Sequence, residues 1–359
     1  MIAIGIPTLN EADNIESLVK SLDAFSRSLD IPLIFINCDN SSEDGTSERF
    51  QAIATNNSKV AFSTIRNGKG RNLKKIVEYI CENNISYCLF IDGDVTSTEL
   101  EWIQKHAIEA EAGTDYVVPS YSRNMQEGNT TNHFAFPLLS HFTNGHSPRQ
   151  PIAGDFGISL TFARHLNSVL WPPSAMGYGV DMFMTTHALF GGFKVAEIEL
   201  GKKLHKPSYD KMVGMFTEVA ESYYAVRELV KPDKKVVFSG VVKSDLGLIA
   251  GAKIAQDKIE QRLQVAQDLF KINTNSLPRI VCQPPKQMTL SSSDWAKVLL
   301  AHEKMLGIIA PSDLAKSLTP FYLVRSMTYL RDTDTPLQAA KEIELQAQTI
   351  HETFMEAKL

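Results

Sequence analysis

Two carboxylates, Asp92 and Asp94, stand on either side of Gly93 at the end of the apolar run Tyr87-Cys88-Leu89-Phe90-Ile91. Residues two apart on an extended segment project to the same face, and the small Gly93 leaves room between them for a ligand. Paired acidic oxygens at a strand's exit suit a hard divalent cation such as Mg²⁺ or Mn²⁺. Such ions are commonly held by one or two carboxylates together with substrate phosphates. A diphosphate is the matching substrate group. Alone, Asp-Gly-Asp is also ordinary turn chemistry, so the neighbouring segments decide between the two.

The elements that must place these carboxylates alternate along the first part of the chain. Short apolar runs at 2–6, 32–38, 59–64 and 86–91 are separated by amphipathic stretches at 12–29, 43–56 and 69–83. That alternation predicts βαβ units, an α/β fold with a mainly parallel sheet flanked by helices. Ligands of such sheets lie beyond the carboxyl ends of the strands. The loops found there are Pro7-Thr8-Leu9-Asn10-Glu11, Asp39 to Thr46, Gly68-Lys69-Gly70 and Asp92-Gly93-Asp94. The lysine loop is not a P-loop, because Gly70 and not Ser or Thr follows Lys69.

From about residue 206 the pattern changes. Met212, Met215, Phe216, Val219, Tyr223, Val226 and Leu229 recur at helical spacing and read as core, the methionines included. Thr319-Pro320 and Thr335-Pro336 predict helix starts with proline at the first helical position. Residues 273–293, rich in Pro, Ser, Asn and Gln, read as a linker or surface excursion. The expected organisation is a nucleotide-binding and catalytic domain over 1–210 and a mainly helical C-terminal region over 211–359.

With 359 residues, 43% of them hydrophobic and 21% charged, the chain can bury a sizeable core. A net charge of −5 argues against a nucleic-acid coat and for a small-molecule partner. Four cysteines without a CxxC pair predict neither a disulfide framework nor a zinc site, and a cytoplasmic location. The N-terminus has no basic leader and reaches Pro7 too soon for a signal segment. No apolar stretch approaches the roughly 20 residues of a membrane span; the nearest, 236–254, is interrupted by Lys243 and Asp245. A homodimer is the expectation from the general frequency of symmetric oligomers.

Taken together, the loops resemble those of nucleotide-sugar-dependent glycosyltransferases of the GT-A fold. The Ile-Pro-Thr-Leu-Asn-Glu opening, Asp39 with Ser42, Asp44, Gly45 and Thr46, and Asp92-Gly93-Asp94 carry that resemblance. A closer one lies further along. Gly128-Asn129-Thr130-Thr131, Gln150 to Asp155, Gly177-Tyr178-Gly179-Val180-Asp181 and Leu204-His205-Lys206 fall in the order seen in retaining glucosyl-3-phosphoglycerate synthases and mannosylglycerate-type synthases.

The resemblance implies a metal-dependent hexosyltransferase acting on a nucleoside diphosphate sugar with retention. It implies Glu11 and Asp39 at the base and ribose, with Pro7, Leu9 and Asn10 alongside, and Lys69 with Gly68 and Gly70 near the diphosphate. Asp92 and Gly93 would meet the ribose or a metal-bound water, and Asp94 with His205 would ligate Mg²⁺ or Mn²⁺. Asn129, Thr130, Thr131, Gly154, Asp155, Tyr178 and Asp181 would face the acceptor side. An inverting enzyme would need a carboxylate base, for which Asp181 or Asp155 is the candidate.

The relatives that use phosphoglycerate place an arginine where Asn129 stands and basic residues where Ile158-Ser159-Leu160 stand. A dianionic phosphate wants such forks, so this chain favours a less charged acceptor such as glycerate or another small hydroxy compound; Arg123, Arg149 and Lys206 are the cations that would compensate if the acceptor is phosphorylated. Two other readings use the same elements. One is a sugar-phosphate nucleotidyltransferase, against which the Pro7–Glu11 loop speaks. The other is a non-catalytic nucleotide-sugar-binding protein.

Overall fold

Ile2–Thr8 (β1) is buried along its full length, as befits a strand covered on both faces by helices. Its side chains alternate, Ile2, Ile4 and Ile6 entering one apolar layer and Ala3 the other. The computed structural model describes residues 2–66, 68–204, 211–232, 235–240, 248–251, 253–276 and 284–359.

Among the described residues the sheet has eight strands. After β1 come Leu33–Asp39 (β2), Ser58–Ser63 (β3), Tyr87–Phe90 (β4), Tyr116–Ser122 (β5), Gly157–Ser159 (β6), Lys194–Lys202 (β7) and Val237–Ser239 (β8). Their spatial order is β3-β2-β1-β4-β6-β5-β7-β8, and every pairing is parallel except the two made by β6. This is the mixed, mostly parallel α/β sheet of a GT-A-like fold.

Helices over Ile15–Leu29 (α1), Thr46–Ala52 (α2), Lys69–Glu82 (α3), Leu100–Glu111 (α4), Phe136–Phe142 (α5), Leu160–Ser168 (α6) and Val180–Phe190 (α7) flank the sheet. Then follow Met212–Leu229 (α8), Gln256–Ser276 (α9), Ser292–Glu303 (α10), Pro311–Asp332 (α11) and Pro336–Glu356 (α12). Ile15, Leu18, Val19 and Leu22 of α1 recur at i, i+3, i+4 and i+7 and are buried. Full burial of each such side chain contributes about 1.5–3 kcal/mol. None of the described helices is long and apolar enough to cross a membrane.

The C-terminal region is helical, as its periodicity predicts, but it also supplies β8 to the edge of the sheet. Thr335-Pro336 starts α12 with a full capping box to Gln338. Thr319-Pro320 does not start a helix: Pro320 lies buried inside α11. An interior proline removes one backbone donor and frees the carbonyl four residues earlier. That carbonyl, Lys316 O, accepts instead from Asn273 Nδ2 of α9 at 2.9 Å. Asn273, placed by its composition in a linker, is therefore a helical residue that repairs its neighbour.

Candidate active site

Parallel pairing brings the carboxyl ends of β1, β2 and β4 to one edge, with Thr8 opposite Asp39 and Gly5 opposite Phe90. The strand expected to carry Asp92 and Asp94 ends at Phe90, so the motif is a turn and not an extended segment. On the β6 side the ladder stops because Asp92 N donates to the Asp155 carboxylate at 2.8 Å, while on the β1 side Gly93 N still donates to Pro7 O at 3.2 Å. Asn14, at the start of α1, fastens the turn through Nδ2 to Gly93 O and Val95 O at 2.8 and 2.9 Å.

Gly93 is small for a different reason from the one expected. A Cβ there would stand 2.7 Å from Thr8 Cγ2 and 2.9 Å from Pro7 O, so it makes room for β1. The turn still presents both Asp92 and Asp94 to a cleft of about 700 Å³, lined also by Pro7, Leu9, Glu11, Gly68, Lys69, Tyr178 and Asp181.

Lys69 opens α3, where the positive end of the helix disfavours a cation. Two carboxylates compensate: Lys69 Nζ lies 2.9 Å from Asp92 Oδ1 and 3.3 Å from Asp181 Oδ1. Gly70 follows because the segment 175–177 runs against this turn. Gly70 N donates to Gly177 O at 3.1 Å, and a Cβ would fall 1.8 Å from Ala175 O. Gly70→Ala is thus expected to cost about 1–3 kcal/mol by overpacking and to displace Lys69. Urea unfolding checks the first effect, and a change within error of zero would refute it.

Lys203, at the end of β7, neutralises the other side of Asp92, 3.2 Å from Oδ2, and also lies 2.5 Å from Asp155 Oδ2. Burial alone would raise the Asp92 carboxyl, but the ammonium groups of Lys69 and Lys203 outweigh it and hold it well below the usual carboxylate range. Asp181 ends up on the other side. Burial, reinforced by the charge of Asp92, pushes it up to about 6 despite Lys69.

A carboxyl raised above its unfolded value of about 3.9 binds its proton more readily in the folded state. Its ionisation therefore lowers stability as pH rises from about 4 to about 6, and the loss is constant above that. Asp181→Asn removes this slope. Its stability relative to wild type should grow across that window in urea titrations at several pH values, and parallel profiles would refute the raised pKa.

Other expected site residues lie outside the cleft's lining. Asp39 is buried, accepting from Thr8 Oγ1 at 2.8 Å and from Ser42 N and Oγ at 2.7 and 2.6 Å, so it braces the loop while Asn40 lines the cleft. Asn10 ties the same loop, its amide donating to Ser42 Oγ at 2.8 Å. Asp155 accepts from Asp92 N, Tyr121 Oη and Lys203, all within the protein. Gly154 sits behind Asp92.

Asn129 donates to Gln126 O, and Thr130 meets Tyr322 Oη of α11 at 2.8 Å. Thr131 begins a π-turn and borders a small side hollow with Arg123 and Arg149. Arg149 stacks on Phe136 at 4.2 Å, and Arg123 borders both the hollow and the cleft. His205 and Lys206 lie outside the described residues. Leu204 O accepts from Thr96 N at 3.0 Å, which brings the preceding chain to within two residues of Asp94. Among the described residues no three His, Cys, Asp or Glu side chains gather closely enough to hold a metal ion.

Residues 3–170 match the family model Glycosyl transferase family 2. Over this stretch, just under half of the chain, the sequence is similar to family 2 glycosyltransferase domains. No curated protein matches the chain. Among solved structures, glucosyl-3-phosphoglycerate synthase from Mycobacterium tuberculosis in complex with Mn²⁺, UDP-glucose and phosphoglyceric acid is 24% identical. The match covers 63% of this chain and 79% of that one at a TM-score of 0.50. The same enzyme with Mg²⁺ and UDP is 23% identical over 63% and 78%, also at 0.50. At these identities the likeness establishes a GT-A fold.

The cleft and its supports include residues that sequence reading passes over. Lys203 carries a faint signal, since Lys202-Lys203 follows a strand-like run on the same pattern as the other loops. Asn14 has the signal of an ordinary helix start. Met215 and Glu218 of α8 line the cleft, although the methionine stripe to which Met215 belongs reads as core. Nothing in an amphipathic helix marks which of its half-buried positions face a ligand.

Proposed function

We propose that the chain transfers a hexose from a nucleoside diphosphate sugar to a small hydroxy-acid-type acceptor, glycerate or phosphoglycerate-like, with Mg²⁺ or Mn²⁺ and with retention. The observation that carries this reading is the convergence of Lys69, Lys203, Asp92 and Asp94 on one cleft of a glycosyltransferase domain. The M. tuberculosis structures, which hold UDP or UDP-glucose with Mn²⁺ or Mg²⁺, support it.

Both oxygens of Asp92 rest on ammonium groups, and the cation is assigned to Asp94, with His205 as its partner, as the family resemblance implies. Carboxylate and imidazole form a donor set that suits these ions. A divalent ion there would act as a Lewis acid on the diphosphate. Lys69 and Lys203 stabilise the negative charge that develops as the sugar–phosphate bond breaks, a task that fixed charges in a partly dry cleft perform well.

With retention, the departing phosphate oxygen takes the acceptor's proton on the same face, and the protein's part is positioning. Asp155 is unsuited to the base role an inverting enzyme requires, because both of its oxygens are engaged in the interior. Of the two candidates Asp181 then remains for that mechanism. The region 1–210 supplies Lys69, Asp92, Asp94, Asp181 and Lys203, and the region 211–359 adds Lys211, Met215 and Glu218 to the wall.

The test is turnover of UDP-, GDP- and ADP-sugars with glycerate and phosphoglycerate, in Mn²⁺ and after EDTA. Activity restored by the metal and an α-linked product from an α-linked donor are expected. Full activity without metal, or release of pyrophosphate from a nucleoside triphosphate, would overturn the proposal.

A further inference from the structure

The C-terminal region enters the cleft through α8, whose Met215 and Glu218 line it together with the N-cap residue Lys211. Glu218 lies over Gly177-Tyr178. Its Oε2 accepts the Tyr178 N–H at 2.6 Å, and a Cβ on Gly177 would stand 2.3 Å from that oxygen. Lys211 holds the other end of the same residue, donating to the Tyr178 hydroxyl at 3.0 Å. Tyr178 is thus gripped at its amide by α8 and at its hydroxyl by the residue that caps it. It stands one helical turn before Asp181, whose carboxylate reaches Lys69.

Chemistry limits what Glu218 can meet in this cleft. A phosphate or an acid brought against it is repelled at close range. A sugar hydroxyl is attracted, and its hydrogen bond to a carboxylate is about twice as strong as one between neutral groups. The Tyr178 N–H occupies one of the roughly four lone-pair sites of a carboxylate, which leaves acceptor capacity for a ligand.

We propose that Glu218 is a specificity residue for the transferred sugar, accepting hydrogen bonds from hexose hydroxyls beside the ring of Tyr178. The inference rests on the glycosyl-transfer reading and adds to it a sugar-reading role for the C-terminal helical region.

The test is calorimetric titration of the full-length protein with Mn²⁺ and UDP, GDP or ADP, then with the glucose and mannose conjugates of whichever nucleotide binds. Glu218→Gln keeps an acceptor for the Tyr178 N–H and removes the charge. Its affinity for the nucleotide sugar should fall about tenfold, the effect of roughly 1.4 kcal/mol, while affinity for the bare nucleotide changes less than about twofold.

An unchanged sugar-nucleotide affinity, or an equal fall for both ligands, would overturn the proposal and leave the glycosyltransferase reading standing. A wild-type protein that binds no nucleotide would overturn both. If Glu218→Gln does not fold by circular dichroism, Glu218→Asp, which withdraws the carboxylate by one methylene, is read against the same criteria.

Discussion

Replacing Lys203 by methionine is expected to destabilise the protein by about 3–5 kcal/mol, the usual consequence of removing one partner from a buried ion pair. The Lys203 side chain is 9% exposed and that of Asp155 is fully buried, so the lost ammonium is not replaced by water. Asp155 would keep the Asp92 N–H and the Tyr121 hydroxyl but lose its only counter-charge within 4 Å among the described residues. Urea unfolding of the full chain measures the loss. A decrease under about 1 kcal/mol would mean that the pair is solvated in solution. The double variant Lys203→Met with Asp155→Asn should recover part of it, and the coupling energy of that cycle isolates the pair from general packing.

The other large effect is on turnover. Asp94→Ala is expected to lower the transfer rate by on the order of 10³-fold, since a cation on the diphosphate supplies several kcal/mol of charge stabilisation. Binding of the bare nucleoside diphosphate in EDTA should be nearly unaltered, because Asp94 is assigned to the cation and not to the base or ribose. A variant that keeps more than about a tenth of the wild-type rate at saturating Mn²⁺ would remove Asp94 from the metal centre. Equal losses of metal-free nucleotide binding and turnover would point to a collapsed loop.

The alternation of apolar runs made the sheet legible, because parallel strands buried on both faces are nearly continuous apolar segments. β1, β2 and β4 lie within one to two residues of their expected bounds, and their loops meet at one edge. What a one-dimensional pattern does not carry is which polar residue faces a ligand and which braces another residue. Asp39 and Asp155 have the residue type of site carboxylates, yet both spend their oxygens on neighbouring backbone and hydroxyl groups. Lys203 and Glu218 were missed for the complementary reason. Their importance comes from distant segments, Asp92 lying 111 positions from Lys203 and Tyr178 40 positions from Glu218. Pro320 shows the same limit: the carbonyl it frees is met by a side chain from α9, a contact that no local rule for proline contains.

Asp92 holds an ammonium group on each of its two oxygens, and this arrangement has a thermodynamic consequence. A cation gains Asp92 only as an ammonium withdraws, and an anion arriving at Lys69 draws that ammonium toward itself. Under the proposed function, nucleotide and metal would therefore be linked ligands, each easing the entry of the other by exchanging partners in place of exposing new charge. Linkage is reciprocal, so the factor by which Mn²⁺ tightens the nucleotide must equal the factor by which the nucleotide tightens Mn²⁺.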